Sequence, residues 1–233
     1  MTTIRSLANL YLRRRFACLF FSLLITLVAA PVLASMGFSN RFMELFLAVN
    51  IFAAVVVTLF GFGTYVGLGL LALVLILRSG HALLDYEPLL STSHGGGAAI
   101  FLISICILLR FILSEGTVNS ERIFAALDAY LLVGVMCGLL FSVFETQWPG
   151  SLFIQGLPLA ESKQNPLAHT IYFSFVTMAT VGYGDIIPVG GPARALAVAE
   201  AISCQMYLVV IVARLVTLHQ GEEDNRDDRS APQ

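Results

Sequence analysis

Apolar residues along this chain gather into six runs, at roughly 16–36, 43–60, 64–78, 98–113, 123–144 and 193–218. A helix that crosses a bilayer needs about 17–25 such residues. The third and fourth runs, at 15 and 16 residues, sit just below that length. Reading 43–78 as one helix would give ~54 Å of rise against a hydrocarbon core of ~30 Å. The run is therefore expected to fold back on itself, with Gly61-Phe62-Gly63 as the tight turn. The pattern predicts an all-α membrane protein with six transmembrane helices.

Composition agrees with a bilayer as solvent. Hydrophobic residues make up 58% of the chain and charged residues 12%, with a mean hydropathy of +0.85; soluble domains average about 45–50% apolar and ~25% charged. Arg13, Arg14 and Arg15 abut the first run and are expected to remain cytoplasmic. The same N-terminus has the outline of a signal peptide, with Val32-Leu33-Ala34 before Ser35. A signal peptide's apolar region is shorter, about 7–15 residues, so 16–36 is read as a span. Cys18, Cys106, Cys137 and Cys204 all fall in apolar runs without metal-ligand spacing, and are expected to be buried thiols acting as small hydrophobes. His81, His94, His169 and His219 are scattered, and His94-Gly95-Gly96-Gly97 reads as a flexible outer linker. No nucleophile-base pair, phosphate loop or metal set is visible, so neither an enzyme nor a cofactor is expected, and nothing points to nucleic acid.

The chemistry is concentrated in Thr180-Val181-Gly182-Tyr183-Gly184-Asp185. Two glycines here permit alternating backbone dihedrals that turn successive carbonyls toward one axis, a conformation that residues with a Cβ adopt only under strain. With Tyr172-Phe173-Ser174-Phe175-Val176-Thr177-Met178-Ala179 upstream, and Pro188 and Arg194 downstream, the segment resembles the tetrameric pore-loop potassium channels. The resemblance implies a re-entrant pore helix and selectivity filter between the last two spans. It also implies that Thr180, Val181, Gly182, Tyr183 and Gly184 form the filter, and that the Thr180 hydroxyl and the carbonyls from Thr180 to Tyr183 hold K+ in place of water. One filter per chain implies a homotetramer in lipid.

Asn165-Pro166 reads as a helix start, since asparagine caps exposed amides and proline suits the first helical position. Residues 166–178 then give a pore helix of about 20 Å, its last carbonyls, near Thr177, expected to aim at a central cavity. Family members usually carry two tryptophans where this chain has Tyr172 and Phe173. Phe173 has no donor for Tyr183, whereas Tyr172 can still donate to Asp185, which would ring the outer mouth. Val176 replaces the glutamate that some prokaryotic relatives place behind the filter. Glu145 resembles the glutamate that related pores bond to the start of the inner helix, here Gly190-Gly191-Pro192.

Six spans put the filter outside and both termini in the cytoplasm, and leave nine basic residues inside against four outside, as the positive-inside rule expects. The membrane implied is the plasma membrane. The chain divides into a four-span domain, 1–120, of unread role, a pore domain, 121–218, and a tail, 219–233, expected to be solvated and disordered. The fourth run carries Arg110 alone, too little charge for strong voltage gating. Candidate gating residues are Asp128, Glu200, Gln205 and Arg214. Asp128 and Arg214 are expected to pair near the inner edge of the hydrocarbon, Glu200 to be a neutral, hydrogen-bonded carboxyl packed against the pore helix, and Gln205 to face the cavity. The rival functions are a potassium transporter subunit and a non-conducting modulatory subunit; residues 1–120 hold no second pore loop, as an internally repeated transporter would.

Overall fold

The computed structural model describes residues 14–35, 41–58, 69, 72–78, 87–114, 119–161 and 166–230. Helices α1 (Arg15–Ser35), α2 (Arg41–Thr58) and α3 (Glu87–Leu113) precede α4 (Ser120–Gln147). A short three-stranded sheet, a single 3-10 turn and helix α5 (Pro166–Met178) follow, and α6 (Gly191–Ser230) closes the described chain. Of the third apolar run only Gly69 and residues 72–78 are described, the latter helical. The turn expected at Gly61-Phe62-Gly63 and the helix cap expected at Asn165 lie outside the described residues.

Among the described residues three helices are long and apolar enough to cross a membrane: Leu89–Leu113, Ser120–Gln147 and Gly191–Arg214. Helices α1 and α2 contribute the shorter apolar stretches Arg15–Ala29 and Leu45–Val56. In lipid, apolar contact alone gives helices little reason to associate, so polar side chains and small residues carry the specificity. Asn50, buried on α2, donates to Thr26 Oγ1 at 2.6 Å and to the Phe46 carbonyl at 2.9 Å, and accepts from Ser22 Oγ at 3.0 Å. It thereby joins α2 to α1.

Helix α4 is the centre of the molecule, packed against α3, α5, α1 and α6. Asn119 caps it, its side chain accepting from the Arg122 amide at 3.0 Å. Pro149 follows its C-cap residue Trp148 and prevents continuation. Gly134 and Gly138, spaced four apart, leave a flat face on which α5 lies. A Cβ on Gly138 would fall 2.7 Å from the Ile171 Cα, and one on Gly134 would fall 2.6 Å from the Phe175 ring. Phe141, beyond them on α4, meets Phe173 of α5 edge to face at 4.9 Å.

Three expectations change. His94-Gly95-Gly96-Gly97 is not a linker: it lies inside α3, and His94 is buried with Nδ1 3.2 Å from Ser142 Oγ on α4. Gly96 and Gly97 serve close approach, because a Cβ on Gly96 would meet Val74 at 2.9 Å and one on Gly97 would meet Ile51 at 3.2 Å and Leu139 at 3.3 Å. The tail is helical as far as Ser230 rather than disordered, and no proline interrupts α6 between Pro192 and Pro232. Of the cysteines, Cys137 and Cys204 are buried, while Cys18 and Cys106 stand on the outer surface of the bundle.

Gly138→Ala is expected to lower the thermal stability of the purified protein by about 1–3 kcal/mol, because its Cβ meets backbone that cannot move aside. Gly95→Ala, with open space around it, should be neutral or stabilising. Equal melting temperatures for the two variants would contradict the close packing of α5 on α4.

Candidate functional site

Helix α5 aims its C-terminus at the loop 179–185, and the loop's first amides turn back onto that terminus. Thr180 N donates to the Thr177 carbonyl at 3.0 Å; Val181 N and Gly182 N donate to the Val176 carbonyl at 3.0 and 3.4 Å. The last α5 carbonyls, expected to aim at a cavity, are thus engaged by the loop itself, because the chain reverses within one turn. Thr180, Gly182 and Gly184 have φ of +57°, +56° and +78°, while the intervening Val181 and Tyr183 do not share that region. Alternation of this kind is what points successive carbonyls the same way. Thr180 was not expected to need it; a β-branched residue with positive φ is strained and persists only where its surroundings fix it.

The loop is exposed throughout, and Tyr183 is 70% exposed. Its outer end is tied down. Tyr172 Oη donates to Asp185 Oδ2 at 2.8 Å, the bond expected from the resemblance, and Ile186 N donates to Asp185 Oδ1 at 3.0 Å. Phe173 turns its ring onto Phe141 and offers Tyr183 no donor. β3 (Ile186–Pro188) then pairs antiparallel with β1 (Leu152–Ile154), setting Phe153 opposite Ile187. β1 also pairs with β2 (Leu157–Pro158) through a turn at Gln155-Gly156, both with positive φ, as a two-residue hairpin turn requires.

Glu145 organises this outer layer differently from the expectation. Its Oε1 accepts from Gly150 N at 2.9 Å and Ala160 N at 3.0 Å, and its Oε2 accepts from Leu152 N at 2.9 Å. The Gly190 amide, with that of Val189, is instead taken by the Ser151 carbonyl, at 3.1 and 2.8 Å. The reason is local: Pro149-Gly150 reverses the chain directly over the end of α4, bringing three amides of the following segment onto the one buried carboxylate.

The candidate gating residues do not form one cluster. Asp128 is fully buried on α4 with no hydrogen-bond partner on either oxygen, and the pair with Arg214 is not formed. Tyr207 sets the register between α4 and α6, its hydroxyl donating to the Ala126 carbonyl at 2.7 Å. Arg214 lies about 10 Å farther along α6 than Tyr207, while Asp128 lies on the other side of Ala126. Gln205 is exposed on α6. Glu200 is buried and bonds to Ser174 of α5, which in turn bonds to α4. Ser174 was missed as a site residue, and so were Gly134 and Gly138, although their small-x-x-x-small spacing in an apolar helix was a visible signal.

Residues 131–220, from the middle of α4 through α6, match the family described as ion channel. Two-pore potassium channel 1 of Arabidopsis thaliana is 30% identical to this chain over 96 residues, 41% of this chain and 23% of that protein. The chain thus spans under a quarter of that relative's length. No solved structure matches. The apolar helices and the similarity to an ion channel family together point to a membrane protein, and the relative named above is a potassium channel.

Tyr172→Phe removes the hydrogen bond to Asp185 and leaves the ring in place. Losing a bond to a charged group costs about 1.5–3 kcal/mol, so current through the variant should decay faster than wild type at low external potassium. An unchanged time course would show that Asp185 is held by its backbone bond alone.

Proposed function

We propose that four copies of this chain assemble around one axis into a potassium-selective channel that conducts passively. The observation that carries the proposal is the loop 180–184, exposed, alternating in backbone hand and backed by the end of α5. Irregular backbone does not face lipid, because each unsatisfied polar group costs several kcal/mol there; it is tolerated where it lines water or protein. A loop between two spans therefore needs an aqueous axis, and one strand of carbonyls cannot surround an ion. Carbonyls of Thr180, Val181, Gly182 and Tyr183, with the Thr180 hydroxyl, would replace the potassium hydration shell, and Gly184 would carry the chain out to Asp185.

Further support comes from α6. Val198, Ile202, Met206, Val209, Val212 and Val216 recur at helical spacing on one exposed face. In a tetramer that face would be shared among neighbouring inner helices, the cavity and lipid. α5 would be the re-entrant pore helix and α4 the outer helix, with four further spans before them, cytoplasmic termini and a plasma-membrane location.

Purified protein in liposomes should release K+ down its gradient. Gly182→Ala and Gly184→Ala put a Cβ on residues with positive φ, so both should abolish that flux while the oligomer, followed by size, persists. Selective flux retained in either variant, or none from wild type, would overturn the proposal.

A further inference from the structure

Helices α4, α5 and α6 meet at one hydrogen-bonded point. Ser174 on α5 lies 2.7 Å by its hydroxyl from the Gly134 carbonyl on α4, and the same hydroxyl is hydrogen-bonded to Glu200 Oε1 on α6. All three residues are buried. A serine hydroxyl has one hydrogen, whereas a backbone carbonyl and a carboxylate oxygen only accept. Two acceptors cannot share that single hydrogen in two full bonds. A second hydrogen is required between the Ser174 oxygen and Glu200 Oε1, and the carboxyl group can carry it. The direction that satisfies every atom runs from the Glu200 carboxylic acid to the Ser174 oxygen, and from the Ser174 hydroxyl to the Gly134 carbonyl.

The surroundings point the same way. No strong donor reaches Glu200 Oε2; the Cys137 thiol beside the carboxyl is only a weak donor, an environment that a neutral carbonyl oxygen tolerates far better than a charged one. The titratable groups beside the carboxyl are Cys137 and Tyr130 on α4 and Cys204 on α6, none of them basic. Basic residues on these helices are engaged or distant. Arg194 Nε donates to the Pro188 carbonyl at 3.0 Å, Arg122 Nη2 donates to Ser114 Oγ at 3.2 Å, and His169 and Arg214 lie more than a helical turn from Ser174 and Glu200 along their own helices.

We infer that Glu200 is a positioning residue that acts as a neutral hydrogen-bond donor, strapping the inner helix through Ser174 to the back of the pore helix and the outer helix. Ser174 lies on the helix whose C-terminus receives the loop amides of Thr180 and Val181. The strap therefore fixes the platform on which the loop rests, and ties the position of α6 to it. For its effect on current the inference rests on the conduction proposed above; its protonation and hydrogen bonding do not.

The test compares wild type, Glu200→Gln, Glu200→Ala and Ser174→Ala as purified full-length protein in lipid. Infrared spectra of wild type should contain the carbonyl stretch of a protonated carboxylic acid that is absent from Glu200→Gln. The glutamine amide still donates, so Glu200→Gln should keep the wild-type rate of current decay. Glu200→Ala and Ser174→Ala lose a hydrogen bond and should decay about fivefold faster. The inference is overturned if the infrared difference is missing, or if Glu200→Gln decays as fast as Glu200→Ala. Should wild type itself carry no current, the conduction proposal fails and the infrared comparison alone decides the protonation of Glu200.

Discussion

Backbone amides and carbonyls outside a helix have no partner in hydrocarbon, and that constraint governs the second half of this chain. The loop 180–184 follows a helix of only 13 residues and precedes one long and apolar enough to cross a membrane, so its polar backbone must be positioned by protein on one side and left open on the other. Every feature around it serves the first requirement. The Thr177 and Val176 carbonyls receive its first amides, Tyr172 and the Ile186 amide hold Asp185 at its far end, and β1 takes up the strand that follows. The open side is where the proposed axis lies.

Support for the loop reaches outward in two layers. Above, Glu145 collects three amides and so fixes the hairpin that pairs with β3. Below and behind, α5 lies on Gly134 and Gly138 with almost no space between backbones, and Ser174 joins it to α4 and α6. The replacement of a tryptophan by Phe173 fits this plan. What is lost as a donor toward Tyr183 is used as ring contact with Phe141, which anchors α5 to α4 by packing instead.

Much of the region from α4 to α6 was legible because its signals are local. The loop with alternating backbone at 180–184, the helix over 166–178 and the Tyr172–Asp185 bond all depend on residues within about fifteen positions of one another. Features set by distant segments were not legible. Glycines 95–97 look like a linker in isolation, and only the neighbouring Val74, Ile51 and Leu139 show that Gly96 and Gly97 are interhelical contacts. Asp128 and Arg214 look matched until the Tyr207–Ala126 bond sets the register between their helices. Glu145 was singled out, but its partners depend on how Pro149-Gly150 turns, which a resemblance does not specify. The tail misled by composition, since a polar charged run is compatible with helix as well as with disorder.

The central claim is that loop carbonyls at an oligomer axis select potassium. Its most direct test is the reversal potential of the purified protein in a planar bilayer with potassium on one side and sodium on the other. The account predicts a reversal potential displaced strongly toward that of a membrane permeable to potassium alone, with a displacement that vanishes when potassium is present equally on both sides. A reversal potential near zero under the potassium-sodium gradient, with current flowing, would contradict it.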